Sequence, residues 1–160
     1  TELYERVGDI VAFDLVRQHF RVLQEIVAAG GGAVVKTIGD AVMATFPTPD
    51  RAVAAALEMR AAMQRLNAAR GGEDLVLKIG IHEGPCLAVT LNEMQDYFGQ
   101  TVNIAARVQG LASSQAIYAT GTVVEDADAA ALFAGGGIAP TPHRHALRGI
   151  AGEMALYEIP

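Results

Sequence analysis

The spacing of apolar residues divides the first half of the chain into helices and a hairpin. Intervals of three and four between apolar positions predict an amphipathic helix over residues 13–29. Two runs rich in Val, Ile and Ala, residues 33–38 and 41–46, flank Gly39-Asp40, a pattern typical of a tight β-hairpin. An Ala-rich stretch predicts a second helix over residues 50–69, with Asp50 as its cap.

The second half of the chain alternates more frequently between elements. Residues 75–81 predict a strand, and residues 86–91 predict a return strand after a Gly84-Pro85 turn. The polar segment 92–100 is interpreted as a loop, and residues 102–111 as a helix. The remaining predicted elements are a strand at 116–119, a helix at 122–132 and strands at 144–147 and 154–159. The pattern predicts an α+β fold: a mixed, mostly antiparallel sheet with helices packed on it.

Composition and charge narrow the class of protein. The 160 residues are 51% hydrophobic and 19% charged, which is typical of one globular domain over residues 1–160. A net charge of −6 argues against nucleic acid as a partner, because nucleic-acid-binding domains present a basic face to phosphates. The single Cys, Cys86, is interpreted as a core thiol compatible with the cytoplasm, and no run of about 20 apolar residues predicts a membrane segment.

Two pairs of polar residues are candidates for chemistry. Lys36 and Asp40 place a cation and a carboxylate at one end of the first hairpin, although Gly-Asp is also ordinary turn chemistry. Asn103 and Arg107 are four residues apart and would share one helix face, where they could hold a ribose oxygen and a phosphate. Taken alone, an amphipathic helix with a solvated Arg is the better explanation of the second pair.

The two segments together are far more specific. Lys36 to Phe46 (KTIGDAVMATF) is followed by Asp96, Phe98-Gly99, Val102-Asn103 and Arg107, and this order resembles the class III adenylyl/guanylyl cyclase catalytic domain. The segments Gly80 to Gly84 (GIHEG) and Leu147 to Ile150 (LRGI) are also similar to that family. The resemblance extends over nearly the whole chain and implies a ferredoxin-like βαββαβ-type sheet.

The resemblance also implies roles for six residues. It makes Asp40 the second of two metal-binding aspartates, and Lys36 and Asp96 the pair that selects the purine. It makes Asn103 the residue that orients the ribose and Arg107 the residue that acts on the α-phosphate. Arg148 would lie near the terminal phosphates.

The implied reaction is conversion of ATP to 3′,5′-cyclic AMP and pyrophosphate with Mg²⁺ or Mn²⁺. Adenine presents an acceptor at N1 and a donor at its 6-amine, which suits Lys36 as donor and Asp96 as acceptor. In this family the metal aspartates and the other site residues come from different protomers, so the resemblance implies a homodimer.

The sequence departs from the family pattern at its start. The family's first strand and first metal aspartate would precede Thr1, so we expect the chain as given to have impaired catalysis. A non-catalytic cyclase-homology module that dimerises or binds nucleotide to regulate an attached domain is therefore the alternative function. Regulatory domains are expected outside the chain. His82 is interpreted as an ordinary polar residue at a strand end.

Overall fold

The computed structural model describes residues 8–71, 75–146 and 153–160, and within these ranges it contains five helices and eight strands. The helices are α1 (Asp9–Ala29), α2 (Pro49–Arg70), α3 (Gln100–Leu111), α4 (Gly121–Val124) and α5 (Ala127–Gly136). The strands are β1 (Ala33–Ile38), β2 (Ala41–Thr45), β3 (Ile79–Ile81), β4 (Leu87–Leu91), β5 (Met94–Phe98), β6 (Ile117–Thr120), β7 (Thr141–Ala146) and β8 (Glu153–Ile159).

The strands form one four-stranded sheet and two hairpins. The sheet has the order β3-β6-β8-β7, in which β3 and β6 are parallel and the other neighbours are antiparallel. The hairpins are β1-β2 and β4-β5. This arrangement confirms the predicted α+β class with mixed, mostly antiparallel pairing.

The prediction for residues 75–100 was wrong in its pairing. β3 does not pair with β4 but with β6, and the segment interpreted as a loop contains β5. The turn explains the error, because Asn92 and Glu93 both have positive φ (50° and 65°) and join Leu91 to Met94 in a two-residue hairpin. The polar residues Asn92, Glu93, Gln95 and Asp96 concealed the strand character of β5.

The core lies on both faces of the four-stranded sheet. Successive residues of β6 point to opposite faces, so Ile117 and Ala119 join α2 and α5 in one cluster while Tyr118 joins α3 and β8 in another. A third cluster places Leu15 and Leu23 of α1 against α2. Helix α2 therefore belongs to both the first and the third cluster. Its many small Ala side chains allow α1 and α5 to pack close to it.

Two local predictions need correction. Helix α2 begins at Pro49 after Thr48, so Asp50 lies in the first turn and is not the cap; a Pro fits the first helical position because its missing N–H has no partner there. Cys86 is exposed beside β4 and is not a core thiol. Across the described part of the chain, no helix combines the length and apolar character that crossing a bilayer requires.

Candidate active site

Lys36 and Asp96 meet although they are 60 residues apart in the sequence. The Lys36 ammonium donates a hydrogen bond to Asp96 Oδ2 at 2.8 Å, joining β1 to β5. The register of β1 against β2 shifts between Val34 and Lys36. Such a bulge re-aims the side chains that follow it, and here Lys36 is directed toward the second hairpin.

The Asp96 carboxylate is held as an anion. Its Oδ1 accepts a hydrogen bond from the Tyr97 backbone N–H at 2.8 Å, while Lys36 occupies Oδ2. The hydrogen bond from Lys36, followed by that from Tyr97, holds the pKa of Asp96 below its ordinary value. The Lys36 ammonium also lies 5.7 Å from the centroid of the Phe98 ring, which is within cation–π range. The Lys36 ammonium and the Asp96 carboxylate thus lie side by side as a cation and an anion.

A small open cavity of about 150 Å³ surrounds this pair. Its walls combine the two charges with apolar groups, which suits a flat heteroaromatic ring with polar edges. The lining residues are Val35, Lys36, Leu91, Met94, Gln95 and Asp96.

Asn103 and Arg107 lie on α3, which begins directly after β5. The opposite face of α3 is buried through Ile104 and Val108, so Asn103 is exposed and Arg107 half-buried. The i, i+4 spacing places their side chains on one face of the helix. Only Gly99 separates the end of β5 from the start of α3. The strand that carries Asp96 therefore leads directly into the helix that carries Asn103 and Arg107.

The position of α3 is fixed by very close packing on β3. A Cβ added to Gly80 would lie 2.3 Å from the Gln109 backbone nitrogen and 2.7 Å from the Ala105 carbonyl oxygen. The helix backbone therefore rests directly on the strand at this point.

Asp40 lies in the β1-β2 turn beside Gly39, whose φ is 61°. Its carboxylate is exposed, and its charge acts on His19 of α1: burial lowers the pKa of His19, and Asp40 partly opposes this. Within the described residues, no hydrogen bond or ion pair joins Asp40 to Asn103, Arg107 or Asp96. Within the described residues of one protomer, Asp40 therefore makes no polar contact with the predicted residues of β5 and α3.

Arg148 lies outside the described residues, so its predicted position near the terminal phosphates stays a prediction. The structure also contains a carboxylate cluster that the sequence did not indicate. Oxygen atoms of Asp50, Asp126 and Asp128 lie within 4.8 Å of one another. Asp126 caps α5 by accepting from the backbone N–H groups of Asp128 and Ala129, which accounts for its position without a cation.

Sequence reasoning also missed a hydrogen-bond chain beside α3. His82, interpreted as an ordinary strand-end residue, places Nδ1 2.6 Å from the hydroxyl of Thr120, which is 1% exposed. Burial lowers the pKa of His82, so the imidazole is neutral near pH 7. The 38-residue separation of the two partners left no local signal for this contact.

Three similar proteins illustrate what the chain resembles. An uncharacterized protein of Mycobacterium tuberculosis is 37% identical over 106 residues, which cover 66% of this chain and 26% of that protein. Adenylate cyclase 2 of Rhizobium meliloti is 32% identical over 123 residues, which cover 69% of this chain and 34% of that protein. The crystal structure of the adenylyl cyclase CyaB from P. aeruginosa has a TM-score of 0.80 at 20% identity, covering 99% of this chain and 87% of that one.

These likenesses differ in what they establish. The structural match shows the cyclase fold and so confirms the expected ferredoxin-like architecture. The chain spans only about a quarter to a third of the two sequence relatives, at 26% and 34% of their lengths. Residues 1–133 match the family described as the adenylate and guanylate cyclase catalytic domain. The chain therefore belongs to the adenylate and guanylate cyclase catalytic domain family.

Proposed function

We propose that this chain is the catalytic domain of an adenylate cyclase that converts ATP to 3′,5′-cyclic AMP and pyrophosphate. The observation that carries the proposal is the Lys36–Asp96 pair, with 2.8 Å between Nζ and Oδ2, in a cavity with apolar walls. An ATP substrate would place the domain in the cytoplasm. The larger size of the sequence relatives supports regulatory domains outside the chain.

Lys36 and Asp96 would select the purine. The Lys36 ammonium donates and the Asp96 carboxylate accepts, so together they complement the N1 acceptor and the 6-amine donor of adenine. Guanine presents the opposite pattern at this edge. Two mismatched charge-assisted hydrogen bonds correspond to a preference for ATP of roughly 100-fold or more.

Asn103 and Arg107 would act on the ribose and the α-phosphate. The reaction is an in-line attack of the ribose 3′-oxygen on the α-phosphorus: one P–O bond forms, the bond to the leaving pyrophosphate breaks, and the hydroxyl proton is released. Asn103 would orient the ribose, so that the attacking oxygen is in line. The Arg107 guanidinium would stabilise the charge that develops on the α-phosphoryl oxygens.

Asp40 is the described residue that would hold a divalent cation. Its exposed carboxylate at the tip of a tight turn offers the hard oxygen ligands that Mg²⁺ and Mn²⁺ prefer, so the residue fits such an ion. When bound, the ion supplies neutralisation of the triphosphate and lowers the pKa of the 3′-hydroxyl. One carboxylate is a weak site by itself, and the family pattern pairs Asp40 with a first metal-binding aspartate.

A homodimer would bring Asp40 of one protomer to Arg107 of the other. The hairpin β4-β5 supports this arrangement, because its large apolar side chains are unusually exposed for a monomer: Leu87 at 65%, Leu91 at 53% and Met94 at 65%. A second copy of this chain would cover them. Because this surface adjoins the Lys36–Asp96 cavity through Leu91 and Met94, dimerisation would also close the purine site.

Product formation by the full-length protein tests the proposal. With Mn²⁺, we expect cyclic AMP from ATP and little cyclic GMP from GTP. Arg107→Ala should lower kcat by about 100- to 1,000-fold. Arg65→Ala is the matched control, since Arg65 pairs with Glu58 on the exposed surface of α2.

Two outcomes would contradict the proposal. Cyclic GMP as the main product would overturn the assignment of Lys36 and Asp96 to adenine. A folded, dimeric protein that makes no cyclic nucleotide would favour the alternative, a non-catalytic module that regulates an attached domain.

A further inference from the structure

The loop between β3 and β4 contacts the first turn of α3. The Thr101 hydroxyl donates a hydrogen bond to the Pro85 carbonyl at 2.5 Å. A Cβ added to Gly84 would lie 2.6 Å from Thr101 Oγ1, so the loop backbone packs directly on this side chain. Thr101 precedes Asn103 by two residues in α3.

The same loop is attached at its other end to the junction of β6 and α4. His82 Nδ1 lies 2.6 Å from Thr120 Oγ1, and Thr120 Oγ1 lies 3.2 Å from Thr122 Oγ1. The Thr122 hydroxyl donates to the Glu83 carbonyl at 3.2 Å. These bonds form a chain that starts and ends in the loop.

The direction of this chain can be assigned by counting hydrogens. A hydroxyl has one hydrogen, and that of Thr122 goes to Glu83, so the Thr120 hydroxyl donates to Thr122. The remaining bond requires His82 Nδ1–H to donate to Thr120. Each polar hydrogen of the three side chains is then donated in a hydrogen bond, and the His82 imidazole is held in one tautomer.

We propose that the chain His82–Thr120–Thr122, acting through the 82–86 loop on Thr101, positions the first turn of α3 and hence Asn103 and Arg107. This inference rests on the proposed function, which gives those two residues their roles. His82, Thr120, Thr122 and Thr101 are not assigned contact with substrate. They are positioning residues. Their loss should therefore lower kcat far more than it raises KM.

The first test compares Thr101→Val with Thr101→Ser. Valine keeps the shape of threonine but lacks the hydroxyl, whereas serine keeps the donor. The backbone N–H of Asn103 donates a hydrogen bond to the Gly99 carbonyl at 3.3 Å. Hydrogen exchange at this N–H therefore reports opening of the first turn of α3. For Thr101→Val we expect about fivefold faster exchange there, and a kcat about tenfold lower with KM within about twofold. Thr101→Ser should behave like the parent protein.

The second test compares His82→Asn with His82→Leu. The Asn side-chain nitrogen lies the same number of bonds from Cα as His Nδ1 and can donate to Thr120, whereas Leu cannot. We expect Asn to restore most of the kcat that Leu loses. Equal losses in the two variants would show that only packing of the ring matters and would overturn the directed chain.

Exchange and catalysis separate the possible failures. Unchanged exchange at Asn103 in Thr101→Val would overturn the proposal, and so would faster exchange with unchanged kcat. If the parent protein makes no cyclic nucleotide, the proposed function fails. In that case, faster exchange at Asn103 in Thr101→Val still supports positioning of the first turn of α3 by the 82–86 loop. Unchanged exchange overturns it.

Discussion

Gly80→Ala should displace the helix that carries Asn103 and Arg107. The added Cβ would lie 2.3 Å from the Gln109 nitrogen, whereas ordinary van der Waals contact begins at 3.4 Å. The opposing atoms belong to the helix backbone and cannot rotate away, so α3 must withdraw by about 1 Å. Overpacking of this kind costs about 1–3 kcal/mol of unfolding free energy.

The same displacement of α3 should also slow catalysis. A displacement of about 1 Å can lower a rate about 100-fold by misplacing the reacting groups. We therefore expect Gly80→Ala to lower Tm by several degrees, at about 2–4 °C per kcal/mol for a protein of this size. At temperatures where the variant remains folded, kcat for cyclic AMP formation should fall by about 100-fold. Thermal unfolding and steady-state kinetics measure the two effects separately.

Gly110→Ala is the matched control because Gly110 lies on the same helix and a Cβ there meets nothing within 4 Å. The change should leave kcat intact and stabilise the protein by about 0.4–1 kcal/mol, as Gly-to-Ala changes do in compatible helical positions. A Gly80→Ala protein with the Tm and kcat of the parent would refute the close packing of α3 on β3. A lowered Tm with unchanged kcat would refute the link between that packing and catalysis.

Three further predictions concern specificity, assembly and pH. Asp96→Asn replaces an obligate acceptor with an amide that can also donate, so the ratio of kcat/KM for ATP over GTP should fall by about tenfold. Leu91→Glu should shift the proposed homodimer toward monomer in sedimentation experiments, whereas Val76→Glu, at an equally exposed site (54%), should not. Burial lowers the pKa of His19, so the unfolded chain takes up its proton first as pH falls below 6.5. Urea unfolding should therefore show stability declining from pH 7 toward pH 5, and His19→Phe should flatten that decline.

Local sequence patterns predicted some elements well. The β1-β2 hairpin was predictable because two apolar runs flank a Gly-Asp turn, and α3 because Ile104 and Val108 repeat at helical spacing. The hairpin β4-β5 was not, since both of its faces are largely exposed and its strands lack a one-sided apolar alternation. The parallel pairing of β3 with β6 depends on α3 crossing between them, which spacing within either strand does not encode.

The candidate site divides in the same way. The i, i+4 relation of Asn103 and Arg107 follows from helix geometry. The contact of Lys36 with Asp96 depends on the bulge in β1 and on the placement of the second hairpin, so the residues alone did not imply it. Only the family resemblance joined them. The His82–Thr120 contact is equally non-local and escaped both kinds of reasoning.

Complementation between two inactive variants is a direct test of an active site shared between two protomers. Asp40→Ala and Arg107→Ala are each expected to be inactive, because every site in either homodimer lacks one of the two residues. In a one-to-one mixture, half of the dimers carry both variants and each of these has one intact site, so cyclic AMP formation should return to about a quarter of the parent rate. A mixture that exchanges subunits yet makes no cyclic AMP, while the parent protein is active, would contradict a composite active site in the homodimer.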